Sequence, residues 1–178
     1  MPKRGFEAVF RRVNPEEPVL PLRATKTSAG YDFFAPCDIA IPPQQQAVFA
    51  TDVKAKMKDD EALILVVRSS AGIRRDLMLA NTVGVVDSDY YNNEDNEGNI
   101  CIALRNLKPA MELTGFRTVA LATGETVEIP VIRDLREENT VLIRKGERVV
   151  QGIFLPVLAA DDGQSQNTRT GGFGSSGN

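Results

Sequence analysis

The stretch Leu79-Ala-Asn-Thr-Val-Gly-Val-Val-Asp-Ser-Asp-Tyr90 gathers three kinds of chemistry in a short span. Asn81 carries an amide that can read the hydrogen-bonding edge of a base. Asp87 carries a carboxylate that can handle a proton, and Tyr90 a ring that can pack against a sugar. The apolar run Val83–Val86 is interrupted by Gly84 and stops at Asp87-Ser-Asp-Tyr90, the pattern of a strand that turns sharply and presents the three groups at one place. Taken alone, a β-hairpin with acidic turn residues explains the stretch with fewer assumptions.

Other stretches hold polar groups in settings that ask for a partner. Where the apolar run Ala62–Val67 ends, Arg68-Ser-Ser-Ala-Gly-Ile73 offers a guanidinium, two hydroxyls and a small backbone, parts that can cradle a phosphate. A serine-capped turn leading into a short helix accounts for it equally well. The sequence has no Gly-x-x-x-x-Gly-Lys-Ser/Thr loop. Gln151 lies inside an apolar run, where an unpaired amide is costly, so it needs a partner in the fold or in a ligand. The tail Arg169-Thr-Gly-Gly-Phe-Gly-Ser-Ser-Gly177 has the composition of a flexible terminus. An aromatic among glycines, hydroxyls and an arginine is also what a mobile arm closing over a ligand requires. Asp32, flanked by Tyr31 and Phe33, reads as a hydrogen-bonded structural residue rather than a catalyst.

Composition prunes the possibilities. The 178-residue chain has no histidine and two cysteines, Cys37 and Cys101. Ser-His-Asp and Cys-His catalysis and histidine-ligated zinc are excluded. The cysteines lack metal-ligand spacing and read as buried free thiols. Catalysis must rest on carboxylates, Arg, Lys, Ser, Tyr or a metal held by hard oxygen ligands. A net charge of −3 disfavours broad binding to nucleic acid but leaves room for a small anion held by local cations. No apolar stretch is long enough for a membrane-spanning helix. The charged start Met1-Pro-Lys-Arg-Gly-Phe6 has no apolar core behind it, so no signal peptide is expected and the cytoplasm is the expected compartment.

Ten prolines, fourteen glycines and short Val/Ile runs favour β-structure in one domain. Strands are expected over 6–13, 37–41, 46–53, 62–67, 99–105 and 140–158, the last broken at Lys145-Gly-Glu-Arg148, with a short helix over Ala71–Asp76. Residues 107–140 read as an added element, in which Phe116–Ala122 and Thr126–Ile132 flank a Thr-Gly-Glu turn as in a β-hairpin. Tyr91-Asn-Asn-Glu-Asp-Asn-Glu-Gly98 has calcium-like Asp/Asn spacing but lacks the EF-hand pattern, and reads as a solvated hairpin tip.

Five of these stretches, in this order, resemble the ordered motifs of the homotrimeric deoxyuridine triphosphate nucleotidohydrolases, the dUTPases. They are Ala29-Gly-Tyr-Asp-Phe33, Arg68-Ser-Ser-Ala-Gly72, Gly84–Tyr90 with Asn81 ahead of it, Gly146–Gln151, and Gly172–Gly177. The resemblance covers 24–106 and 140–178. The segment 107–139 matches poorly and is similar to the extra segment of some phage and Gram-positive members. The resemblance implies an all-β, jelly-roll-like distorted barrel with one short helix and an inserted β-hairpin. One domain would span 1–160, with the insertion at 107–139 and residues 161–178 as a flexible arm closing over the active site. It also implies a homotrimer with each active site built from three chains, and hydrolysis of dUTP to dUMP and pyrophosphate. That reaction limits uracil in DNA and supplies a thymidylate precursor.

Roles follow from the same resemblance. Asp87 would orient and deprotonate a water for in-line attack at the α-phosphorus. Tyr90 would pack under the deoxyribose and leave no room for a 2′-hydroxyl. Asn81, with backbone groups of Val85, Val86 and Cys101, would pair with the uracil edge, and the tight turn at Gly84 would exclude a 5-methyl group. Arg68, Ser69, Ser70, Gly72 and Gln151 would hold phosphates from a neighbouring subunit. Phe173 would stack on the uracil, with Gly174, Ser175, Ser176 and Arg169 at the β- and γ-phosphates. Mg²⁺ would be held by triphosphate oxygens and waters, with Asp32 in its outer sphere at most.

The sequence departs from the family pattern in three places. Tyr91–Glu97 is an acidic extension that bears on the rim of the base pocket. Arg169 stands closer to Phe173 than in many members. The segment 107–139, whose counterpart in some phage enzymes contacts a protein, is either a regulatory contact or a solvent-exposed decoration. Two rivals are a dCTP deaminase, which shares the fold and an Arg-Ser-Ser stretch, and a catalytically idle nucleotide sensor acting through the insertion. The Asp87–Tyr90 cluster and the Phe173 tail favour the dUTPase reading.

Overall fold

The computed structural model describes residues 4–162; the expectations for Arg169, Phe173, Gly174, Ser175 and Ser176 lie outside the described residues. Short apolar runs separated by Pro, Gly and Asp turns give β1 (Gly5–Ala8), β2 (Leu22–Arg23), β3 (Tyr31–Phe34), β4 (Ile39–Ile41), β5 (Gln46–Ala50), β6 (Val53–Lys56) and β7 (Glu61–Val67). The single α-helix among the described residues, α1 (Ser69–Arg75), comes next, then β8 (Leu77–Leu79), β9 (Gly84–Asp87) and one 3₁₀ turn, Ser88–Tyr90. β10 (Cys101–Asn106), β11 (Met111–Ala120), β12 (Thr126–Asp134), β13 (Val141–Ile143) and β14 (Arg148–Pro156) complete the order.

The largest sheet has five strands in the order β2-β3-β14-β7-β9, and a second has the order β5-β10-β8. The pairs β1-β6, β4-β13 and β11-β12 complete an antiparallel architecture. Phe33, Leu63, Ile102, Leu104, Ile143 and Val150 fill the core between the sheets. Gly152 belongs to this packing, because a Cβ there would stand 2.9 Å from both Leu63 and Phe33 side-chain atoms.

Local expectations differ from this arrangement in instructive ways. The first strand stops at Ala8, and Phe10 and Val13 are exposed, because the chain is drawn off by side-chain bonds described below. The expected strand 46–53 divides at Thr51–Asp52, where Asp52 adopts φ 57°. The helix starts earlier than expected, at Ser69, and no side chain caps its N-terminus. Cys37 is exposed in the turn before β4 and Cys101 is half-buried, so the two are free thiols without the expected burial. The hairpin is present and longer than expected, with a bulge between Leu113 and Gly115 and Gly124 at φ 84° in its turn. β11 and β12 pack chiefly against each other, which leaves Leu113, Phe116 and Ile132 exposed.

Candidate active site

The stretch Leu79–Tyr90 is not a hairpin: β8 pairs with β10 and β9 pairs with β7, so the chain crosses from one sheet to the other. Its turn is closed by Thr82 N donating to Leu79 O (2.9 Å) and Val83 N donating to Asn81 O (2.7 Å), with Thr82 at φ 67°. Ala80 N donates to Ala103 O (2.9 Å), which ties the start of the turn to β10. On β9, Gly84 and Val86 face inward while Val85 and Asp87 face outward. A Cβ on Gly84 would lie 3.0 Å from the Leu65 Cβ, so glycine is required here by the close approach of β9 to β7.

The three polar groups are presented differently, two at the surface and one inward. Exposed Asn81 and exposed Asp87 lie at opposite ends of β9, which spans about 10 Å. Tyr90 turns inward, 8% exposed, and joins the core cluster. Its hydroxyl donates to Asn99 O (3.2 Å) and accepts from Asn96 Nδ2 (2.8 Å). Burial, with the nearby Asp52 charge, pushes the Cys101 thiol pKa up, so it remains protonated at neutral pH.

A second cluster forms across β3, β14 and the end of β7. Leu22, Asp32, Gln151 and Val66 stand in one row across four strands. Buried Asp32 receives two arginines, Arg68 Nε at 3.0 Å and Arg148 Nη1 at 3.3 Å, and Arg68 Nη1 also donates to Arg148 O at 3.3 Å. One carboxylate thus aims two guanidiniums, which compensates its burial. Gln151 is half-buried rather than enclosed. It leans over Gly30, where a Cβ would stand 2.4 Å from Gln151 Oε1. Ser69 and Ser70 lie exposed beside this cluster, while Ala71 and Gly72 donate to Arg68 O. Sequence reasoning missed Arg148 and the fit of Gln151 over Gly30. Both depend on the register of β14 against β3, and the only local signal was an arginine in the turn ahead of an apolar strand.

The two clusters lie far apart within one chain. Asp87 pairs with Ala62, whereas Arg68 lies six residues further along the β7 direction, about 20 Å away at the rise of an extended strand. A groove of about 310 Å³, lined in part by Pro15, Val19, Phe33, Pro36, Cys37 and Lys145, touches neither cluster. It sits under the segment between β1 and β2 rather than at the polar groups.

By architecture the chain is an all-β protein of the fold that dUTPases use. The Streptococcus mutans dUTPase superposes with a TM-score of 0.66 at 34% identity, over 89% of this chain and 99% of that one. The dUTPase from phage phi11 of S. aureus, whose structure visualises a species-specific insert, superposes with a TM-score of 0.63 at 24% identity, over 93% of this chain and 97% of that one. That second likeness is one of fold alone. A family model described as dUTPase matches residues 16–108. The deoxyuridine 5′-triphosphate nucleotidohydrolase of Lactococcus lactis subsp. lactis is 38% identical over 176 residues, 98% of this chain and 97% of that protein. The chain belongs to the dUTPase family.

Proposed function

We propose that this chain hydrolyses dUTP to dUMP and pyrophosphate, with Asp87 as the base and the phosphate grip supplied by a neighbouring copy. The observation that carries the second half is the separation of about 20 Å between Asp87 and the Arg68 cluster along β7. One triphosphate cannot engage both from a single chain, and a closed homotrimer that juxtaposes one chain's β9 with the next chain's β7 end resolves this. Asn81 and the backbone of Val85, Val86 and Cys101 read the uracil, and Tyr90 lies under the deoxyribose. Arg68, Ser69, Ser70, Gly72 and Gln151 hold the phosphates. Arg169, Phe173, Gly174, Ser175 and Ser176, outside the described residues, complete the site as an arm. Residues 1–160 serve as the single domain.

Both Asp32 oxygens face arginines, so its part is to aim Arg68 and Arg148. Mg²⁺ would be held by the triphosphate oxygens and waters rather than by protein ligands, and would neutralise phosphate charge there; among the described residues no acidic cluster is placed to hold it directly. Positioning and charge compensation supply most of the rate in such chemistry. The exposed Leu113, Phe116 and Ile132 of the hairpin are what a regulatory protein would meet. Among the described residues no helix is long and apolar enough to cross a membrane, and we place the enzyme in the cytoplasm.

The decisive assay is pyrophosphate release from dUTP, UTP, dTTP and dCTP with and without Mg²⁺. Release from dUTP alone, stimulated by Mg²⁺, is the expected pattern; ammonia from dCTP with no pyrophosphate from dUTP would overturn it. A Gly30→Ala variant tests the phosphate grip. Its φ is not in the left-handed region, and a Cβ would stand 2.4 Å from Gln151 Oε1, which can swing away, and 3.1 Å from Gln151 Cβ, which must give slightly, so the cost falls chiefly on that side chain. The expected outcome is a melting temperature close to that of the parent and a KM for dUTP raised on the order of ten-fold, the scale of one hydrogen bond to a charged group.

A further inference from the structure

The polar loop that follows Tyr90 is built around that tyrosine. Asn93, buried, donates from Nδ2 to Tyr90 O (2.8 Å) and Asn96 Oδ1 (2.9 Å), and its Oδ1 accepts from Asp95 N (3.1 Å) and Asn96 N (3.0 Å). Asn96 accepts from Gly98 N (3.0 Å), and its Nδ2 reaches the Tyr90 hydroxyl (2.8 Å) and Asn99 O (3.3 Å). Gly98, at φ 82°, closes the loop so tightly that a Cβ would stand 2.6 Å from Tyr90 O. The far end is tied down as well: Glu97 accepts from Phe10 N (2.7 Å) and Arg11 N (3.0 Å). Asn99 donates to Asp52 Oδ1 (2.9 Å) and accepts from Asp52 N (2.9 Å). The stretch is a folded asparagine latch, not the solvated tip its polarity suggested.

We infer that Asn96 is a positioning residue for sugar discrimination, acting by fixing the tilt of the Tyr90 ring through its hydroxyl. The inference rests on the reading of Tyr90 as the surface under the deoxyribose. Packing in the core holds the body of the ring, and the polar end of the side chain is held by hydrogen bonds. A hydroxyl bonded both as donor, to Asn99 O, and as acceptor, from Asn96 Nδ2, is held at its outer end. A fixed tilt sets the clearance at the sugar's 2′ position, and an error below 1 Å there separates a contact from a clash.

The test measures kcat/KM for dUTP and for UTP in Asn96→Ala, Tyr90→Phe, the double variant and Tyr90→Ala. Asn96→Ala and Tyr90→Phe each cut the bond from one side. Each is expected to narrow the dUTP-to-UTP ratio on the order of ten-fold, and the double variant to do no worse than either alone. A merely structural role would lower both substrates together and leave the ratio where it was. If Tyr90→Ala collapses the ratio while the two bond-cutting variants leave it intact, the latch is refuted and the sugar reading stands. If Tyr90→Ala leaves the ratio unchanged, the sugar reading falls and the latch with it. Should Asn96→Ala not fold, Tyr90→Phe still tests whether the hydroxyl sets the ratio, because it keeps the ring and removes both the bond from Asn96 and the bond to Asn99 O; an unchanged ratio there refutes the latch.

Discussion

Asp87→Asn binds dUTP as well as the parent and turns it over roughly 10²–10⁴-fold more slowly, the range associated with loss of a general base. Asparagine keeps the size and the hydrogen-bonding reach of the side chain but cannot accept the proton of an attacking water. The position is exposed at the end of β9, opposite Ala62 across the ladder, and asparagine matches the aspartate in size, so the exchange leaves the local packing intact. Titration calorimetry with dUTP and single-turnover pyrophosphate release separate binding from chemistry. An unchanged single-turnover rate removes Asp87 from the role. Mixing adds a sharper test of the shared site. If Asp87 serves one triphosphate and Arg68 another, then Asp87→Asn and Arg68→Ala, each inactive alone, regain activity when unfolded together and reassembled. If each site lay within a single chain, every site in the mixture would carry one of the two failures and the mixture would stay dead.

Much of this division was legible beforehand. The apolar run broken by Gly84 and stopped at Asp87 marked β9, and the apolar runs of β7, β10 and β14 lie close to where their composition put them. The hairpin announced itself through two β-rich runs about a Thr-Gly-Glu turn. What escaped were the polar groups whose meaning is set at long range. Asp32 looked structural, and it is, but its purpose appears only when β14 and β7 bring Arg148 and Arg68 to its two oxygens. Tyr91–Gly98 looked like a solvated tip because Asn, Asp and Glu favour water. Its side chains instead satisfy buried backbone groups of Tyr90 and Asn99. The strand break at Asp52 carried no warning, since a left-handed φ there is supported by contacts to residues distant in sequence.

Asp52→Ala should be the most destabilising substitution in the polar framework, at roughly 3–5 kcal/mol. Only 1% of Asp52 is exposed, yet its carboxylate accepts from Val13 N (2.9 Å), Asn14 N (2.7 Å), Asn14 Nδ2 (2.7 Å) and Asn99 Nδ2 (2.9 Å). Alanine leaves these donors without their acceptor and also sits poorly at φ 57°. Burial pushes the Asp52 pKa up, but the hydrogen bonds from Val13, Asn14 and Asn99 outweigh it and hold the carboxyl below its ordinary value. The sign follows: a group whose folded pKa is depressed contributes stability above its unfolded value, about 3.9, and loses it as pH falls through the folded one. Thermal melts from pH 7 to pH 3 should therefore show the parent losing stability below about pH 4. Asp52→Ala should start lower at pH 7 and lose less on acidification. Equal melting temperatures at neutral pH would mean that the carboxylate does not hold the segment from Val13 to the β10 approach. Because Asn99 joins Asp52 to the Tyr90 hydroxyl, the same variant should also disturb the Tyr90 ring, and on the proposed reading of that ring its loss of stability and its loss of dUTP-over-UTP preference should appear together.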